Sequence, residues 1–174
     1  MTTERANGVT FQGNPLTVKG DQLKVGDKAP DFSLLGNDLS QVSLADSAGK
    51  VRLISVVTSL DTGICDAQTH RFNEEAASLG DEVVILTVSA DLPFAQARWC
   101  GAAGVDRVQT LSDHRDMGFG DAYGTHVKEL RLEQRSVFVV DGEGIVRYAE
   151  YVPEIAQHPD YEAALAAVKT VAGK

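Results

Sequence analysis

Two apolar runs rich in β-branched residues limit what this chain can fold into. Val51 to Val57 is nearly continuous in apolar residues, and Glu82 to Ala90 carries a second run, Val83-Val84-Ile85-Leu86-Thr87-Val88. Runs of that length and composition read as strands buried on both faces, the habit of parallel sheets. Between them Ile64, Phe72, Ala76 and Leu79 recur at spacings near 3.6 or its multiples, and Gly80 stops the pattern. A helix therefore carries the chain from one strand to the next, which is the crossover that parallel neighbours require.

The remaining segments extend this frame. Val9 to Val18 reads as two short strands around a Gly13-Asn14 turn, Gly26 to Asp31 as a loop, and Phe32 to Leu35 as a short strand before a turn at Gly36-Asn37-Asp38. Asp91 is placed to cap a helix that begins near Leu92-Pro93, carries Phe94, Ala97 and Cys100, and ends at Gly101 and Gly104. A shorter helix is expected from Arg115 to Tyr123. Ser136 to Val140 and Ile145 to Ala149 flank Asp141-Gly142-Glu143-Gly144 as a hairpin, and Pro159 to Val171 closes the chain as an amphipathic helix with Tyr161, Ala164, Leu165 and Val168 on one face. The order is hairpin, β-α-β-α, β-hairpin and helix. That is an α/β, thioredoxin-like fold with an N-terminal β-hairpin extension over residues 1–20 and a central mixed sheet flanked by helices, expected as a single domain over residues 1–174.

Composition excludes several functions. A net charge of −9 with no Lys/Arg-rich run argues against a nucleic-acid backbone as partner. No apolar stretch approaches the ~20 residues of a membrane span. The start, Met1 to Asn7, lacks a basic segment followed by an apolar one, so no secretory signal is read and the cytoplasm is the expected location. There are two cysteines, Cys65 and Cys100, with no C-x-x-C motif, and His70, His114, His126 and His158 are scattered without ligand spacing. No metal or cofactor is expected.

The strand ending at Val57 delivers Cys65, through Thr58-Ser59-Leu60-Asp61-Thr62-Gly63-Ile64, to the start of the first long helix. Peptide N–H groups and the positive dipole end there favour a thiolate, the nucleophilic form of cysteine. Thr62, about one turn earlier, is in range to hydrogen-bond the sulfur. The same position also suits a buried, inert cysteine serving as a small hydrophobe. Trp99, Phe32, Phe94 and Tyr123 read as packing residues.

Four segments, in this order along the chain, bring a known family to bear: Phe11-Gln12-Gly13-Asn14-Pro15, Ser59 to Cys65, Ser89-Ala90-Asp91-Leu92-Pro93-Phe94-Ala95-Gln96 through Cys100-Gly101, and Pro159 to Leu165. With them the chain resembles the thiol peroxidase branch of the peroxiredoxins, of the atypical two-cysteine kind. The resemblance implies that Cys65 is the peroxidatic cysteine and Cys100 the resolving one. It implies that Thr62 orients the peroxide and that Arg135, at the position before the late strand, supplies a guanidinium, with Arg131 four residues earlier as the other candidate. One position departs from the family: the proline expected seven residues before the active cysteine is Thr58 here. The implied activity is reduction of hydrogen peroxide and organic hydroperoxides through a Cys65 sulfenic acid. Cys100 then closes an intramolecular disulfide, after local unwinding, and thioredoxin reduces it. A homodimer is implied too. The alternative from the same chemistry is a peroxide sensor or redox relay without sustained turnover.

Overall fold

The chain opens with an antiparallel hairpin of β1 (Glu4–Phe11) and β2 (Asn14–Lys19), in a computed structural model that describes residues 2–173. Its turn is Gln12-Gly13, both at positive φ (51° and 81°), and Phe11 faces Asn14 across it. Positive φ at both positions is the signature of a type I′ two-residue loop, so the turn lies one residue earlier than the sequence suggested. Asn14 becomes the closing residue and donates its side-chain amide to Phe11 O.

There follow β3 (Leu34–Leu35), β4 (Gln41–Val42), a 3₁₀ turn at Leu44–Ser47, β5 (Val51–Val56), α1 (Gly63–Leu79), β6 (Val83–Ser89), α2 (Pro93–Ala103) and β7 (Gln109–Ser112). Then come α3 (Gly118–Tyr123), β8 (His126–Val127), β9 (Leu132–Glu133), β10 (Ser136–Val140), β11 (Val146–Tyr151) and α4 (Tyr161–Ala172). The main sheet has the order β11-β10-β5-β6-β7-β3-β4. Strands β5, β6 and β7 run parallel, and β10, β11, β3 and β4 add antiparallel partners. The N-terminal hairpin joins β8 and β9 in a second sheet of order β1-β2-β8-β9.

Period-two alternation divides the main sheet's side chains between two cores. Leu53, Ile85, Val137 and Val139 pack with Phe72 and Leu79 of α1 and with Ala164, Leu165 and Val168 of α4, while Trp99 and Ala103 of α2 join from the side. Ile54, Val56, Leu86, Val88, Phe138 and Val140 face the other way, onto Phe32, Leu34, Phe119 and Tyr123. Truncating one such large residue to Ala typically costs ~3–5 kcal/mol for an aromatic. The apolar run of β5 has two polar interruptions, Ser55 and Arg52; Arg52 is buried and donates to Ser47 Oγ, Asp141 O and Leu44 O.

Several local expectations are corrected. Strand β7 was not read from the sequence, because Gln109-Thr110-Leu111-Ser112 is short and polar, yet it continues the parallel sheet beside β6. Gly101 lies within α2, and the helix ends at Gly104, whose left-handed backbone (φ 68°) lets its N–H close onto Cys100 O. Helix α3 starts at Gly118, three residues after the expected Arg115, because Asp116 and Asp113 accept the N–H groups of Gly118, Phe119 and Gly120. Phe94, expected to pack, is 66% exposed, whereas Phe32 and Tyr123 are buried as expected.

Candidate active site

Parallel strands β5, β6 and β7 end at Val56, Ser89 and Ser112, and the loops beyond those ends bring Cys65 to its place. That edge of an open α/β sheet is where such folds gather their ligands. The loop from Val57 to Asp61 is held from behind by Asp91. Its carboxylate accepts Ser59 Oγ at 2.8 Å, Leu60 N at 2.9 Å and Ser89 Oγ at 2.7 Å. Asp91 is therefore a loop anchor and not the expected helix cap. Leu92 is the N-cap of α2, with Pro93 in the first turn.

Cys65 is the third residue of α1 and fully buried. It packs with Val57 and Leu60, and Trp99 of α2 leans on that cluster. The Ser59 N–H points at Cys65 Sγ, 3.5 Å away, a donor the sequence did not disclose. Thr62 is the N-cap, and its hydroxyl donates to Ser59 O at 2.9 Å. At rest it braces the loop and does not bond the sulfur as expected. Thr58 is buried, and its hydroxyl donates to Glu133 O at 3.0 Å.

One turn along α1, Gln68 carries the link from the cysteine helix to Arg135. Gln68 Nε2 donates to Ser55 Oγ at 2.8 Å, and Gln68 Oε1 accepts Arg135 Nη1 at 2.9 Å. Arg135 is buried, and its Nε and Nη2 clasp Ile155 O at 3.1 and 2.8 Å. A guanidinium stays charged even when buried, and its planar fork suits such clasping. Burial raises the pKa of Tyr161, and the nearby guanidiniums of Arg135 and Arg71 partly offset that rise. Arg131 lies elsewhere, donating Nη2 to His114 O and Arg115 O. Of the two candidate arginines, Arg135 is the one joined to the cysteine helix.

Cys100, on α2, is partly buried, and both cysteines are free thiols. Its Sγ is 3.5 Å from Thr110 Oγ1, whose hydroxyl donates to Asn37 Oδ1. The thiol thus faces Thr110 of β7. Beside α2, Asp61, Leu92, Phe94, Arg98 and Trp99 line an open groove of about 600 Å³. Among the described residues no group of three or more His, Cys, Asp or Glu is arranged to hold a metal ion.

Beneath the site lies a carboxyl pair that sequence reasoning missed. Glu133 and Asp113 are both buried. Thr125 Oγ1 donates to Glu133 Oε2, while Glu133 Oε1 has no donor facing it. Burial, and next the hydrogen bond with Asp113, push the Glu133 carboxyl well above its ordinary range; burial also raises Asp113. Gly120 leaves the room: a Cβ there would meet Glu133 Oε2 at 2.9 Å.

A buried cysteine at the head of a helix, on a thioredoxin-like sheet and linked through Gln68 to a buried arginine, is an arrangement that suits a thiol enzyme. Comparison with known proteins narrows it. Residues 24–165 match the Redoxin family. The chain is 63% identical over 163 residues to the thiol peroxidase of Bacillus subtilis (strain 168), covering 94% of this chain and 97% of that one. It is 57% identical to a thiol peroxidase of Staphylococcus aureus (strain MRSA252), over 94% and 98% of the two chains. Among solved structures, a peroxiredoxin-like protein from Aquifex aeolicus superposes with a TM-score of 0.88 at 37% identity, covering 95% of this chain and 98% of that one. A thiol peroxidase from Chromobacterium violaceum shares the fold, with a TM-score of 0.83 at 20% identity over 93% and 95% of the chains. The chain belongs to the Redoxin family, within it to the thiol peroxidases of the peroxiredoxin class.

Proposed function

We propose that the chain reduces hydrogen peroxide and organic hydroperoxides by a cycle through Cys65 and Cys100, with thioredoxin as the reductant. The Cys65 thiolate attacks one peroxide oxygen in line with the O–O bond. The sulfur takes that oxygen as a sulfenic acid, and the other oxygen leaves as hydroxide or alkoxide and is protonated to water or alcohol. Lowering a thiol's pKa also lowers its nucleophilicity, so donors aimed at the developing charge carry the acceleration. The observation that carries this reading is the chain of contacts from the Cys65 helix through Gln68 to Arg135, together with the Ser59 N–H at the sulfur. Thr62 completes the set if its hydroxyl turns from Ser59 O to the peroxide.

Cys65 sulfenic acid then condenses with Cys100, releasing water and forming an intramolecular disulfide. The two residues belong to separate helices, and the Cα atoms of a disulfide lie ~4.4–6.8 Å apart, so the Cys65 and Cys100 turns unwind locally to meet. Two thiols of the reductant restore the pair by exchange. The family resemblance also supports a homodimer working in the cytoplasm.

The test is peroxide-dependent NADPH oxidation with excess thioredoxin and its reductase. Sustained turnover in the wild type is expected. Cys65→Ser abolishes peroxide consumption, and Cys100→Ser is oxidised once per chain without thioredoxin-coupled turnover. Stoichiometric oxidation of the wild type without turnover would replace this reading with that of a peroxide sensor or relay.

A further inference from the structure

Resting on the reading of Cys65 and Cys100 as a peroxidatic and resolving pair, we propose that the hydrogen bond from Trp99 to Asp66 is a latch that sets how fast Cys100 resolves the Cys65 sulfenic acid. Asp66 follows Cys65 in the first turn of α1, and Trp99 precedes Cys100 near the end of α2. Trp99 Nε1 donates to Asp66 Oδ1 at 2.9 Å, so one bond joins the neighbours of the two cysteines. The Trp99 ring also lies against the Val57, Leu60 and Cys65 cluster. His70 stands on the same carboxylate, with Nε2 at 3.7 Å from Asp66 Oδ1, and its ring centroid is 5.6 Å from that of Trp99.

Successive residues on a helix point about 100° apart, so Trp99 and Cys100 leave α2 on different faces. Trp99 leans on Cys65, whereas Cys100 faces Thr110. For the Cys100 sulfur to reach Cys65, Trp99 must leave the ground it occupies and give up its bond to Asp66. In the condensation the Cys100 thiol loses its proton and its sulfur attacks the Cys65 sulfur. The S–O bond breaks, the hydroxyl leaves as water with that proton, and the sulfenic sulfur is reduced as the Cys100 thiol is oxidised. While the latch holds, the sulfenic acid waits and a second peroxide can carry it to sulfinic acid. Asp66 and Trp99 are positioning residues: they govern the resolution step more than the first attack.

The experiment follows reduced full-length protein mixed with hydrogen peroxide, quenched at intervals with acid and an alkylating agent, and read by intact mass as thiol, sulfenic acid, disulfide and sulfinic acid. Asp66→Ala removes the acceptor at a side chain that is 44% exposed, and Trp99→Phe removes the donor while keeping a ring on the cluster. Both are expected to raise the ratio of resolution to oxidation rates about tenfold, the scale of a hydrogen bond to a charged group. Both should also accumulate less sulfinic acid at high peroxide. Asp66→Asn, which keeps an oxygen acceptor, is expected to fall between them and the wild type. Unchanged ratios in Asp66→Ala and Trp99→Phe would overturn the latch, as would Asp66→Asn matching Asp66→Ala, which would assign the effect to charge. If the wild type is oxidised at Cys65 but forms no Cys65–Cys100 disulfide, the pairing itself fails and the latch with it.

Discussion

Arg135 carries a buried positive charge whose neighbours are the Gln68 amide oxygen and the Ile155 carbonyl. Lysine has no planar fork with which to serve both, so Arg135→Lys keeps the charge and loses the geometry. Its second-order rate with hydrogen peroxide is expected to fall by ~10²–10³, the usual effect of losing one donor to developing negative charge. Stopped-flow mixing measures it, and a rate within a few-fold of wild type would remove Arg135 from the site. Sequence chemistry alone did not distinguish Arg135 from a surface arginine; the family resemblance selected it. The contacts of Arg131 with His114 O and Arg115 O then explain why the earlier arginine serves the α3 loop instead. Gln68 and the Ser59 N–H were illegible because neither periodicity nor motif shows which polar groups are buried together.

The elements that were legible are those whose hydrophobic pattern matches one period over many residues. Strands β5 and β6, helix α1 and helix α4 fall within a few residues of their expected bounds. Strand β7 and the two-residue strands β8 and β9 carry too little pattern of their own and exist through the neighbours they pair with. Asp91 was misread for a related reason. An aspartate before Leu92-Pro93 has the chemistry of a cap, but tertiary contact with the Ser59 loop claims its carboxylate. Asp91→Ala therefore leaves Leu60 N–H and two hydroxyls without their acceptor, and is expected to destabilise the fold by about 1–3 kcal/mol. Urea titration should show a lower midpoint with unchanged slope. The Asp91→Ala rate with peroxide should fall as well, since the loop bearing Ser59 loses its anchor; an unchanged midpoint and rate would refute the anchoring role.

Across the whole molecule the Glu133–Asp113 pair makes stability depend on pH. Both carboxyls are raised above their ordinary values, chiefly by burial. A carboxyl with a raised folded pKa binds its proton more tightly in the folded state. Its contribution is complete below the ordinary carboxylate range and is lost as pH climbs through the raised value. Melting temperature is thus expected to decline from mildly acidic toward alkaline pH, and Glu133→Gln, which cannot ionise, should flatten that decline and gain most at the alkaline end. Thermal unfolding of the two proteins across that range checks it; parallel curves would mean the pair does not titrate with folding. The segment Glu133-Gln134-Arg135 joins this pair to the site, through Thr58 on Glu133 O and Arg135 on Gln68. No sequence pattern announced two carboxyls separated by twenty residues meeting under a sheet edge.

The most direct test of the account is the reaction of the fully reduced protein with hydrogen peroxide, followed by Trp99 fluorescence on rapid mixing. If the groups around Cys65 are arranged to polarise an O–O bond, the second-order rate should exceed that of free cysteine by about a hundredfold or more, and Cys65→Ser should abolish it. A rate equal to that of free cysteine, or one that survives Cys65→Ser, would contradict it.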